Sequence, residues 1–85
     1  MKILYLPKFV RQYRKLTPAI RDALKEKEKI FFQNPFDPRL KTHKLHGDLE
    51  GYWAFRIDYQ NRVIFEFADD DTVWLYSVGD HDIYE

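Results

Sequence analysis

Hydrophobic and polar positions along the 85-residue chain change period three times. Lys2 to Leu6 alternates, which predicts a first strand. Pro7 suits the first turn of a helix, where its missing N–H costs nothing. Phe9, Tyr13 and Leu16 then fall at i, i+4 and i+7, one helical stripe. Thr17-Pro18 is a restart signal, with threonine at the N-cap and proline at the first helical position. The second helix places Ile20, Ala23, Leu24, Lys27, Ile30 and Phe31 on one side and Lys25, Glu26, Glu28 and Lys29 on the other. It should stop near Asn34-Pro35, because the residue before a proline is pushed out of the helical region. So short a link makes the two helices an antiparallel hairpin.

From Phe36 to Glu50 the turn formers Asp37-Pro38 and Gly47-Asp48 predict a loop with room for a short strand or turn. A period of two follows. Trp53, Phe55 and Ile57 alternate with Ala54, Arg56 and Asp58, and Val63, Phe65 and Phe67 alternate with Arg62, Ile64 and Glu66. Asp69-Asp70-Asp71 marks a hairpin tip, and Val73 to Val78 a last strand. If both apolar sets face the helices, an odd-length loop joins the strands; a two-residue turn at Gln60-Asn61 would mix arginine and glutamate with the core. The expected register brings Trp53 near Phe67, Phe55 near Phe65 and Ile57 near Val63. Arg56, Asp58, Arg62, Ile64 and Glu66 then share the opposite face. The expected fold is a single small α+β domain over residues 1–85: an N-terminal strand, a helix hairpin, then a three- to four-stranded, mainly antiparallel sheet.

Composition narrows the functional classes. Without cysteine there is neither a disulfide framework nor a thiolate metal site. The first residues are too short an apolar run for a signal peptide, and no stretch reaches membrane-spanning length, so the expected location is cytoplasmic, with no membrane partner. Net charge is zero, yet residues 1–50 hold 12 Lys/Arg against 6 Asp/Glu, while residues 51–85 hold 2 against 8. A polyanion-facing first half would produce this asymmetry, and so would solvated lysine-rich helices.

His43, His46 and His81 match no zinc-binding spacing, so no metal and no cofactor is expected. Arg56 and Arg62 can be cross-strand partners of Asp58 and Glu66, or the two forks of a phosphate cradle. His81 and Tyr84, in a terminal segment with little core value, fit RNA cleavage beside such a cradle. One group takes the ribose 2′-OH proton, another protonates the leaving 5′ oxygen, and arginines hold the charge. An exposed ring would stack a splayed base.

The run from Asn34 to Ile57, then Arg62-Val-Ile-Phe-Glu-Phe, then Val78-Gly-Asp-His-Asp-Ile-Tyr84, resembles the RelE/ParE superfamily of toxins from type II toxin–antitoxin modules, and within it the RelE/YafQ-like mRNA interferases. The resemblance covers nearly the whole chain. It implies metal-independent, ribosome-associated cleavage of mRNA and inhibition of translation. The implied partners are a cognate antitoxin, the ribosome and mRNA, with promoter DNA reached only through the antitoxin complex. It implies catalytic roles for His43, Arg56, Arg62, His81 and Tyr84: proton transfer by the two histidines, phosphate contact by the arginines, base or nucleotide contact by the tyrosine. Lys41, Lys44 and His46 are candidate RNA contacts, although His46 reads equally well as a solvated loop histidine. Two alternatives share the fold: a ParE-like inhibitor of DNA gyrase without nuclease activity, and a non-catalytic antitoxin-binding member.

Overall fold

The computed structural model describes residues 1–84, with the side chains of His81 and Tyr84 outside the described set. β1 (Lys2–Tyr5) leads through Leu6 into α1 (Pro7–Arg14), and α2 (Pro18–Gln33) completes the hairpin. The Thr17 hydroxyl accepts from the Ile20 N–H at 3.3 Å, as an N-cap should. The loop after α2 carries single 3₁₀ turns at Pro38–Leu40 and Gly47–Leu49, separated by β2 (His43–Lys44). β3 (Trp53–Arg56), β4 (Arg62–Asp69) and β5 (Thr72–Gly79) form the meander, and a last 3₁₀ turn spans His81–Tyr84. The sheet order is β1-β5-β4-β3-β2, with β1 parallel to β5 and the other pairs antiparallel. The two-residue β2 makes the sheet one strand wider than the three to four expected.

Parity between β3 and β4 is as expected, but the register is two residues tighter. Trp53 stands opposite Phe65 and Phe55 opposite Val63. The cause is Asp58. Its Oδ1 accepts the N–H groups of Gln60 (2.9 Å) and Asn61 (2.7 Å), and the Asn61 carbonyl accepts from the Ile57 N–H at 2.9 Å. This Asx-type closure leaves only Asp58, Tyr59 and Gln60 outside the pairing, an odd loop but a shorter one. Asp58 therefore sits in the turn instead of joining the arginine face. Burial pushes its carboxyl up, but the hydrogen bonds from Asn61 and Gln60 outweigh this and hold it below the usual carboxylate range.

A group depressed on folding stabilises the fold above its unfolded pKa and loses that contribution as pH falls through the folded value. The Gln60 and Asn61 amides should thus lose hydrogen-exchange protection on acidification below the ordinary aspartate range, before the strands do. Protection that is independent of pH in this window would show that Asp58 does not close the turn.

Helix-facing residues build the core. Phe31 of α2 packs 4.9 Å from both Phe55 and Phe65 between ring centroids, edge-on to the latter, and Phe9, Leu24, Leu40, Val63, Val73 and Leu75 surround them. A β-bulge between the Ile64/Ser77 and Phe65/Leu75 pairs interrupts the β4–β5 ladder. Gln12 of α1 serves this irregularity, its Oε1 accepting from the Val78 N–H (2.9 Å) and the buried Ser77 hydroxyl (3.0 Å). A backbone donor that the bulge would otherwise strand is thereby satisfied, and α1 is pinned to β5.

Candidate functional site

The face of the sheet away from the helices is the one the register makes chemically distinctive. Residues opposite one another in a ladder share a face. His43 pairs with Ala54, Ala54 with Ile64 and Ile64 with Ser77, so one row crosses four strands. Two residues along, Arg56 pairs with Arg62 and Arg62 with Gly79. Such rows lie about 7 Å apart along the strands.

Two arginines directly opposite repel each other and destabilise a sheet unless something neutralises them. Neither carboxylate offered by the sequence does so. Asp58 spends its oxygens on the turn, and no ion pair to Arg56 or Arg62 occurs among the described residues. Arg62 is half-buried and aimed by the turn itself, its Nη1 donating to the carbonyls of Asp58 (2.8 Å) and Asn61 (3.1 Å). Its Nε and Nη2 hydrogens remain for an anion. Arg56 is exposed beside it.

His43 reaches this face from a loop under local constraint. Asp37 caps the 3₁₀ turn at Pro38–Leu40, and its bidentate hydrogen bonds from Arg39 hold its carboxyl down to about 2. Lys41 follows at φ 54, the one non-glycine residue at positive φ among those described. Its carbonyl lies 2.9 Å from His43 Nδ1. A carbonyl only accepts, so the neutral ring carries its hydrogen on Nδ1 and its lone pair on Nε2, the arrangement of a general base.

The other expected RNA contacts separate from this row. Lys44 pairs with Trp53 and places Nζ 5.4 Å from the centre of its ring, on the helix side. His46 is exposed, with Nδ1 3.6 Å from Glu50. Lys41 is exposed in the turn before β2, where it contributes its carbonyl to His43.

The backbone of His81–Tyr84 lies at the same end of the sheet as the arginines, two residues beyond the Gly79–Arg62 pair. Asp80 caps this turn, accepting from the Asp82 N–H at 3.0 Å. Gly79 lets it approach: a Cβ there would meet Ile83 Cγ2 at 2.8 Å. Among the described residues, no three His, Asp or Glu side chains converge on a point where a metal could sit.

Sequence reasoning did not single out Tyr52, Glu66, Tyr76 and Lys8 as a group. Tyr52 and Tyr76 pair on the open face, 5.0 Å apart between centroids and tilted by 30°, and Lys8 Nζ lies 5.1 Å from the Tyr76 centroid. The bulge that turns Tyr76 toward Tyr52 has no signature in the period of the strand.

A helix hairpin packs on one side of a mixed sheet, and on the other Arg56, Arg62 and His43 share a face without an ion pair among the described residues, which defines a small α+β protein with a cationic sheet face. The chain belongs to the RelE/YoeB-type toxin superfamily. Over 60 residues it is 35% identical to the toxin YoeB of Streptomyces coelicolor, covering 71% of this chain and 67% of that one. It is 37% identical over 43 residues to the toxin RelK of Mycobacterium tuberculosis, and here the match spans about half the length of each chain (51%). No family model matches. The fold agrees with that of YafQ from Escherichia coli BL21(DE3) at a TM-score of 0.81 and 17% identity, over 98% of this chain and 96% of that one. It also agrees with the E. coli DinJ–YafQ toxin–antitoxin complex, at 0.77 and 17% identity over 96% and 93%. No helix among the described residues is long and apolar enough to cross a membrane.

Proposed function

We propose that this chain is the toxin of a type II toxin–antitoxin module and cuts mRNA on the ribosome without a metal ion. The observation that carries the reading is the Arg56–Arg62 pair, opposed on an open sheet face with no ion pair to a carboxylate among the described residues. An RNA phosphate is the dianion-like centre that such forks match during in-line attack.

His43 Nε2 takes the proton of the ribose 2′-OH. The 2′ oxygen then bonds to phosphorus, and the bond from phosphorus to the 5′ oxygen breaks. His81 returns a proton to that leaving oxygen, which yields a 2′,3′-cyclic phosphate and a 5′-hydroxyl end. Arg56 and Arg62 hold the charge that builds on the non-bridging oxygens, and Tyr84 contacts the nucleotide. A 2′-OH nucleophile restricts the activity to RNA. The cognate antitoxin binds the toxin and inhibits it, and the complex carries any contact with promoter DNA. The place of action is then the cytoplasm, with the ribosome.

The test is cell-free translation of a reporter mRNA with purified protein, reading RNA ends by primer extension with and without EDTA. Discrete cuts that need ribosomes and survive EDTA are expected. Intact mRNA with continuing translation, together with inhibition of purified gyrase, would replace this reading by the ParE-like one.

Gly79→Ala offers a second check, because it touches no reacting group. The added methyl collides with Ile83 and shifts the His81–Tyr84 turn. Displacements on the ångström scale cost about 10²-fold in rate, so cleavage should fall by that order; alanine is also strained at the φ of 158 found here, so a modest drop in the thermal midpoint is expected and the rate is read well below it. Wild-type cleavage in this variant would remove the terminal turn from the site.

A further inference from the structure

The open face carries one more row, which the phosphate chemistry leaves idle. Glu66 of β4 stands opposite Trp74 of β5, and Tyr52, just ahead of β3, shares the parity of Ala54 and Arg56. Tyr52 and Tyr76 form the ring pair described above, with Lys8 over Tyr76. Beside them Ala54 and Ile64 are fully buried. The Glu66 carboxylate makes no ion pair among the described residues. Burial, then the charge of Glu66, then Tyr76, push the Tyr52 phenol upward, so it stays a neutral O–H donor at neutral pH.

Paired rings beside a backbone-tracking cation take nucleobases, since every base has a π face. Two row spacings put this platform about 13 Å from the arginine row, within reach of a base near the cut. An unpaired carboxylate at the edge of the platform adds a choice among bases. Guanine offers N1–H and an N2 hydrogen side by side on its pairing edge, so a carboxylate can accept both. Adenine and cytosine offer one amino group there, and uracil one imino hydrogen.

We propose that Tyr52, Tyr76 and Glu66 form a nucleobase subsite that favours guanine one or two nucleotides from the cleaved bond. The assignment rests on the ribonuclease reading of the arginine face. It favours RNA over a protein ligand because the rings and carboxylate continue a face whose other charges suit phosphate.

The experiment uses a ribosome-bound reporter mRNA series in which each of three positions on either side of the cut carries all four bases. Wild type should show guanine enriched at one fixed position. Glu66→Gln, equal in size but no longer acceptor-only, should reduce that enrichment about 10-fold while cutting at other bases persists. Tyr52→Leu should raise KM about 10- to 100-fold for every base, and Tyr52→Phe, which keeps the ring, should restore it. A role confined to covering Ile64 would lower stability without moving base preference. Active wild type with a flat base profile, or an unchanged profile in Glu66→Gln, overturns the subsite alone. Variants that keep their profile but lose antitoxin affinity also overturn it, and make the row a protein contact. Wild type that cuts no mRNA overturns the ribonuclease reading, and the subsite with it.

Discussion

Arg62→Ala is expected to lower mRNA cleavage about 10²- to 10³-fold, the usual loss when one preorganised donor to a developing oxyanion is removed. The expectation comes from the aim of the side chain more than from its charge. The carbonyls of Asp58 and Asn61 hold Nη1 and turn the rest of the fork toward the open face. Lysine at this position keeps the charge but presents no fork, so Arg62→Lys should recover only a small part of the loss. Because alanine also frees the two turn carbonyls, Arg56→Ala is the cleaner companion: the side chain is exposed and holds no turn. A fall in both variants with thermal unfolding preserved would support a shared phosphate site. Near-wild-type rates in both, on folded protein, would sink it.

The largest effect on stability should come from Phe31→Ala. Phe31 is fully buried and touches Phe55 and Phe65 from the helix side, so it ties α2 to the centre of the sheet. Truncating a buried phenylalanine costs about 3–5 kcal/mol. A domain of 85 residues is stable by roughly 4–13 kcal/mol in total, so the variant should lose from about a quarter of that stability to all of it. Denaturant melts read the midpoint directly; a midpoint within experimental error of wild type would mean that the ring is not the keystone its contacts make it. Phe36, more than half exposed although it touches Trp53 and Phe67, should cost much less when truncated.

The helices were legible in the sequence because their signals are local: a proline at each first turn, Thr17 at a cap, and stripes at 3.6-residue spacing. Strand parity was legible for the same reason. Register was not, because it depends on how one side chain, Asp58, closes a turn, and composition alone does not distinguish a three-residue from a five-residue loop. The arginine row followed from parity, so Arg56 and Arg62 were found together despite the slip. That Lys44 lies over Trp53, on the other face from His43, was not legible, because a strand of two residues hardly announces its register. The Tyr52–Tyr76 pair was missed because a bulge shifts the phase of β5, and a strict period of two has no place for it.

β2 is held to the sheet by two residue pairs, at its outer edge. Opening free energies grade from near zero at frayed edges to the global value in central strands, so this segment should detach long before β4 or β5 does. His43 would leave with it. Mild heat or denaturant should then silence the protein while its circular dichroism is still native, and cooling should revive it at once, without refolding. On the proposed function such a molecule would carry its own reversible off-state, a breathing hem of the sheet, and anything that clasps or peels that hem should change cleavage without touching the core.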